Sequence, residues 1–546
     1  PTTDGYKITF ADNTDHLDIP QVTQAGWQVV GTSLGTFAYR VDNDAVTELT
    51  LLGNANTGAT PYRQTGDLYG IILLPESATG ADIEAARKLL IDRGAADGVT
   101  ASGVENYFRE RDDMVEFKGV SFSGVTNFTA MFFGSASLTT FNVNSLPDAV
   151  HFSYAFRGSG LTSFHTQLPL VTNANNAFHS TNITSFDVEL PKATRVDYGF
   201  YNCQSLQSFS SELPSATTVS QSWNGCSSLS DFKTTDIKNC TSFTSAWQNC
   251  SSLQSFPADA KLGTSAQNVN FTSAWQDSGL TSFPALDLSS GTTFIRAWQS
   301  SDLISFPANI DLSGGTVFTD AWRNINTLLS FPAGLNLSSG QSFNDAWRSA
   351  TSLTGFPLIN ISSGKIFTRS WYNCSSMTDW PSGFFDSWSP SSLTSGIFDL
   401  AWGLCTSLTA QSVENILTSI DASGKYGTAT GAAGGGAIDS GIDIDYDGTT
   451  LSAATNAAID SLSGKGWEVY INGVLVIPNI LDLAPAAAYS LRSFDANADP
   501  NVVNVRRSSD NATSDFKASE VSDGTLTTWV NTEYNIYTSD FSSNTD

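Results

Sequence analysis

Several residue groups in this 546-residue chain have types and spacings that could do chemistry. The run G-I-D-I-D-Y-D-G (Gly441 to Gly448) places Asp443, Asp445 and Asp447 as a calcium loop opens. The twelfth position, where such a loop supplies a bidentate glutamate, holds Ala454. The same alternation puts Ile442, Ile444 and Tyr446 on the inner side of a strand and the aspartates on its solvated side. G-T-S-L-G (Gly31 to Gly35) matches a nucleophile elbow, which needs a strand before it and a helix after it. T-F-A-Y-R-V (Thr36 to Val41) reads as a second strand, so a hairpin turn is expected. A glycosidase would need two carboxylates facing one cleft. Asp320 and Asp345 share a repeat position, but Asp277 and Asp302 fall elsewhere. His16, His151, His165 and His179 lack metal-ligand spacing to any cysteine pair, and G-A-A-G-G-G (Gly431 to Gly436) lacks the lysine of a phosphate loop. No catalytic, cofactor-binding or metal-binding residue is assigned, no cofactor is expected, and the chain reads as non-enzymatic.

The elements that position these residues are repeats. An aromatic slot recurs about every 24 residues: Phe132, Phe156, Phe178, Phe200, Trp223, Trp247, Trp275, Trp298, Trp322, Trp347, Trp371 and Trp402. Most copies carry a second aromatic anchor eight or nine residues on, such as Phe256 or Phe306, with Leu three residues before it. No copy has room for a long helix. Alternation, as in Phe294, Arg296 and Trp298, suggests a short strand. The expected fold is mostly β with short helical turns: a leucine-rich-repeat-like solenoid of about twelve turns, stacked at roughly 4.8 Å per turn. The row of slot rings is expected in the core, and the Ser/Thr/Asn-rich flank is expected to be the binding face, with Arg157, Arg296, Arg323, Arg348 and Arg369 marking polar positions on it. Cys203, Cys226, Cys250, Cys374 and Cys405 share one position, three residues after the slot, which predicts a ladder of buried free thiols; Cys240 lies outside it.

The spelling F/W-x-x-C-x-S-L-x-x-F, plain in A-W-Q-N-C-S-S-L-Q-S-F (Ala246 to Phe256), resembles the BspA-type leucine-rich repeat of bacterial and phage surface proteins. The resemblance covers roughly residues 120–475. It departs from the family in having Trp at the slot from Trp223 onward. The segment from about Leu481, with A-Y-S-L-R-S-F (Ala488 to Phe494) and D-G-T-L-T-T-W-V (Asp523 to Val530), resembles the start of an arabinofuranosidase-like, concanavalin-type jelly-roll module.

The remaining features bound the reading. Formal net charge is −27 with only 14% charged residues, so the surface is polar and acidic, and basic clusters for nucleic acid or an anionic membrane are sparse. No apolar run is long enough to span a bilayer. The chain opens on Pro1 without Met, as a processed or partial product would. Residues 1–119 read as an N-terminal α+β attachment or capping domain. It holds a helix over Thr79 to Gly94, capped by Thr79 or Asp82 with Ile83, Ala86, Leu89 and Leu90 inside, and a short helix near Val104 to Phe108. Residues 120–410 form the solenoid, 411–480 closing repeats and cap, and 481–546 a mainly β, partial jelly-roll-like module. G-W-Q-V-V (Gly26 to Val30) echoes G-W-E-V-Y (Gly466 to Tyr470), as related modules would. The resemblances imply a structural protein of a phage virion, such as a tail fibre or tip. Its partners would be other virion proteins, copies of itself (a trimer by analogy), and a host surface glycan or protein. A bacterial cell-surface adhesin of the same repeat type is the alternative, and a polysaccharide-active enzyme a more distant one.

Overall fold

A computed structural model describes residues 77–92, 95–96, 103–118, 122–264, 267–393, 396–427, 441–448 and 450–476. It also describes the strands 8–9, 26–32, 35–41, 67–75, 502–506, 513–522, 525–531 and 535–536. The chain divides into two units, Pro1–Val476 and Ile477–Asp546.

The first unit opens with a sheet of β1 (Ile8–Thr9), β2 (Gly26–Thr32), β3 (Gly35–Val41), β4 (Asp67–Pro75), β5 (Met114–Lys118) and β6 (Thr140–Asn142), in the order β1-β4-β2-β3-β5-β6. All pairs are antiparallel except β5 with β6, where the sheet passes into the parallel ladder of the repeats. Helix α1 (Gly80–Ile91) packs on one face of the sheet, with Trp27, Val29, Ala38, Ile83, Ala86 and Leu90 between them. Thr79 caps it through a reciprocal pair with Asp82, whose carboxyl that hydrogen bonding holds below its ordinary range. Leu89, expected inside, is exposed, and Arg87 is buried instead. The other face of the sheet delivers Val30, Phe37 and Tyr39 into the solenoid core, where Phe37 meets Phe108 edge-on at 5.4 Å. The sheet thus covers the open end of the stack, where an unpaired turn would otherwise invite association.

The stack is mostly β and runs to about fourteen turns, not twelve. Parallel bridges link Gly103, Asn127, His151, Asn173, Arg195 and Thr218 in succession, and continue through Ser342 to Ile366. Phe108 fills the slot one turn before Phe132, stacked on it at 5.4 Å. After Trp402 the parallel ladder continues through Ile444, which pairs with Trp402, to Ile471. A search for aromatic residues could not find these last two. The segment around Val104 to Phe108 is correspondingly a turn of the stack and not a helix, with Val104, Asn106 and Phe108 N–H groups donating to the next turn.

The backbone around each slot is not the expected strand. The residues two before and two after the slot lie in the left-handed region, as at Gln221 (φ 57°) and Gly225 (φ 77°), or Arg296 (φ 55°) and Ser300 (φ 55°). These two reversals turn alternate N–H groups along the stack. Gln221, Trp223 and Gly225 donate to Thr244, Ala246 and Gln248 at 2.8–2.9 Å. Asn, Asp and Gly hold many of these positions because a left-handed backbone strains them least.

Three ring rows fill the interior. Successive slot tryptophans stack nearly parallel, for example Trp223 on Trp247 at 5.4 Å and 6°. Second-anchor rings stack likewise and meet the slot rings edge-on, as Trp247 with Phe256 at 4.9 Å and 83°. A third row, Phe243, Phe271, Phe294, Phe318, Phe343, Phe367 and Phe398, lies four residues before the slot. Centroid spacings wider than a strand spacing of roughly 4.8 Å mean that the rings are offset and inclined, the favoured aromatic arrangement. The buried slot indole N–H groups meet no oxygen acceptor, whereas Trp388 and Trp467 donate to the carbonyls of Gly364 and Lys425.

The closing repeats differ in kind. Phe398–Trp402, Gly441–Ile444 and Glu468–Ile471 are parallel strands, and Val474–Leu475 returns antiparallel. Helix α2 (Ala410–Ala422), capped by Thr409, and helix α3 (Ala453–Gly464), capped by Ser452, lie between them in sequence. Gly26 to Val30 therefore sits within an antiparallel sheet and Glu468 to Tyr470 within a parallel one, so their likeness does not mark related modules. The second unit contains an antiparallel meander of Val502–Arg506, Thr513–Ser522, Thr525–Asn531 and Asn535–Ile536.

Candidate functional site

Each chemically suggestive group of the sequence has a defined place. Gly31 and Gly35 belong to the two strands of the β2–β3 hairpin, with Thr32 paired to Gly35, so a strand follows where an elbow needs a helix. Gly31 is required for another reason: a Cβ there would lie 2.8 Å from Leu90 Cβ of α1. In the aspartate run, Ile442, Ile444 and Tyr446 are buried as alternation predicts. Asp443 and Asp445 accept the N–H groups of Leu400 (2.8 Å) and Leu404 (2.6 Å). Those are the two left-handed residues of the last aromatic turn, whose N–H groups face along the stack. The aspartates thus terminate the donor ladder as a side chain caps a helix. Among the described residues no group of three or more His, Cys, Asp or Glu could hold a metal ion; His16 lies outside them.

All six cysteines are free and buried. The ladder thiols each donate to the slot carbonyl of the preceding turn, as Cys226 to Phe200 (3.1 Å) and Cys250 to Trp223 (3.2 Å). Ser135 does the same to Phe108. Burial pushes the thiols of Cys226, Cys250 and Cys405 well above their ordinary range, which makes them poor nucleophiles.

The Ser/Thr/Asn flank largely satisfies itself. Thr172, Thr194, Thr217 and Thr241 hydroxyls sit in one column, each donating to a carbonyl of the turn before, and Ser220 joins Ser242 at 2.8 Å. These hydroxyls brace the stack.

A different face remains. The columns two before and one after the slot lie side by side, and all five arginines singled out from sequence fall in them. From Ala130 to Gln299 these two columns contain no acidic residue, in a chain of net charge −27. Toward the N-terminal end they carry rings: Phe133, Tyr154, His179, Tyr198 and Tyr201. Arg157 lies 5.7 Å from the centroids of both Phe133 and Tyr154, and Arg109 lies 4.4 Å from Phe133. His179 stacks on Tyr201 at 4.8 Å and meets Ser180 Oγ through Nδ1 at 2.9 Å. Burial, with the Arg157 charge beside it, pulls the His179 pKa down to about 4, so the ring is neutral near pH 7. Gln221 donates to the Tyr198 hydroxyl at 2.7 Å. Asn224, Gln248, Gln276 and Gln299 continue the row as amides.

The same columns close further along. Asp320 and Asp345, both nearly buried, join Arg296, Arg323, Arg348 and Arg369, with Arg323 and Arg348 at 2.9 and 3.0 Å. The sequence placed the aspartate pair correctly by repeat position, but the five arginines, expected on the Ser/Thr/Asn flank, lie instead in these two columns. It missed the aromatic cluster, which a tabulation by distance from the slot would have shown.

No family model matches the chain, and no curated protein matches it. Among solved structures, it is similar to a leucine-rich repeat protein from Bacteroides ovatus ATCC 8483, at 18% identity and a TM-score of 0.33. The match covers 56% of this chain and 79% of that one. The solenoid assignment rests on the ladder of this chain itself. No helix among the described residues is long and apolar enough to cross a membrane.

Proposed function

We propose that this chain is a non-enzymatic structural and adhesive protein of a phage particle, such as a tail fibre or tip, whose repeat stack engages a host surface glycan or protein. The observation that carries the adhesive part is the acid-free face with its partly exposed rings, held on a braced stack. The placement in a virion rests on the BspA-like spelling, on the jelly-roll-like spelling after Leu481, and on the acidic, polar composition. Chain ends would join other virion proteins or sister chains, and identical contacts from several copies would add through multivalency.

An electron-microscopy reconstruction of the native assembly tests this directly. Density for the stack in a tail or fibre supports the reading; density in a cell envelope replaces the virion by the bacterial adhesin. Binding of the purified chain to host envelope extract tests the adhesive part, and no retention on any such extract would leave a purely architectural role.

A further inference from the structure

We infer that the acid-free face holds an extended, uncharged glycan lying along the stack, with sugar rings on the aromatic cluster and hydroxyls on the amides beyond it. This rests on the adhesive reading above and names its ligand class.

Three observations converge on it. The first is charge. The chain carries 53 acidic and 26 basic side chains, yet the two columns from Ala130 to Gln299 have none of the acids. A long polyanion would be repelled by the whole molecule, whereas an uncharged chain would not. The second is backbone strain. Tyr154 and Tyr198 sit in the left-handed region at φ 60° and 56°, positions that neighbouring turns give to Ala, Asn, Gln or Ser. A bulky ring there is held against its preference, and Tyr154 is 36% exposed, so packing does not account for it. The third is period. Neighbouring columns repeat once per turn, at roughly the strand spacing of 4.8 Å. One sugar unit of an extended polysaccharide advances by a similar length, so successive units meet equivalent positions.

The roles divide accordingly. Tyr154, Tyr198 and Tyr201 offer ring faces to the apolar faces of pyranose rings. Arg157, spread over Phe133 and Tyr154, presents guanidinium N–H groups as donors to sugar hydroxyls. Neutral His179 keeps positive charge from building up beside Arg157 and backs Tyr201 as a stacked ring. Gly134 and Gly158, in the next column, leave the shelf beside Phe133 and Arg157 low: a Cβ on Gly158 would meet only the backbone of Gly134, at 3.8 Å.

The test is calorimetric titration of the full chain with linear gluco-, manno- and galacto-oligosaccharides of increasing length. Hyaluronan fragments of matched length serve as charged comparators. The expected result is binding of an uncharged series whose affinity rises with each added unit, and weakening by about tenfold or more in Tyr154→Ala/Tyr201→Ala, as for loss of an aromatic anchor. The length dependence is read on the native chain, so it stands even if the variant folds poorly. Near-ultraviolet dichroism of the tryptophan row reports whether that variant retains the stack. Absence of binding by every uncharged series, preference for hyaluronan, affinity independent of length, or an unaffected variant with intact dichroism each overturns the inference. If host envelope extract is still retained in any of those cases, adhesion stands and works through another surface.

Discussion

Between Phe133 and Tyr201 the two outward columns carry rings, with Arg157 laid over two of them. Between Arg296 and Arg369 the same columns carry four arginines tied to Asp320 and Asp345. The backbone is equivalent in both stretches: each has left-handed residues on either side of the slot and the same inter-turn donors. The side chains alone differ. A solenoid column whose polar groups pair across turns becomes a brace, whereas the ring stretch leaves its side chains partly exposed. In the arginine stretch the partners are sequence-near, three residues or one turn away.

What the stretches share should give the largest effects. Phe156→Ala and Trp322→Ala each remove a fully buried slot ring, and each should cost about 3–5 kcal/mol by urea unfolding. A much smaller loss at Phe156 would mean that the N-terminal turns are packed differently. Asp345→Ala separates the stretches. It leaves Arg348 and Arg369 facing each other without their carboxylate and should cost about 2–3 kcal/mol, reduced from the fully buried case because both arginines are partly exposed. Oligosaccharide affinity should be unchanged in it, and a loss there would join the two stretches functionally. Tyr154→Gly works in the opposite direction. Relief of the left-handed strain should stabilise the chain by up to about 1 kcal/mol while weakening glycan binding. A destabilised variant would show that ring packing outweighs strain.

The smallest effect is that of pH on His179. Its folded pKa is lowered from 6.5 to about 4, so the unfolded chain binds the proton first as pH falls. The His179 contribution is complete above pH 6.5 and is lost as pH drops toward 4. A proton NMR titration of the ring should show its midpoint near 4, and Arg157→Gln should raise that midpoint. No shift in the variant would remove Arg157 as a cause and leave burial alone.

Much of the core was legible because burial repeats with the sequence. Cys226 and Cys250 could be placed side by side from spacing alone, and the caps of α1 follow from Thr79 and Asp82. The third ring row was visible only as alternation, which argued for a strand. The backbone reverses at Arg296 and Asp320 instead, since these residues must send their N–H groups to the next turn. The capping role of Asp443 and Asp445 was hidden by distance: their partners lie 43 and 41 residues earlier in the chain.

By itself the amino-acid order determined the period and the ring and thiol columns, because each is a property of position modulo one turn, and the composition set the acidic balance. Only the tertiary structure decided which columns face each other. It also decided where the backbone turns left-handed, and which polar groups find partners across turns and which stay exposed. Those outcomes depend on the stacking geometry, which sets inter-turn distances that no single repeat contains.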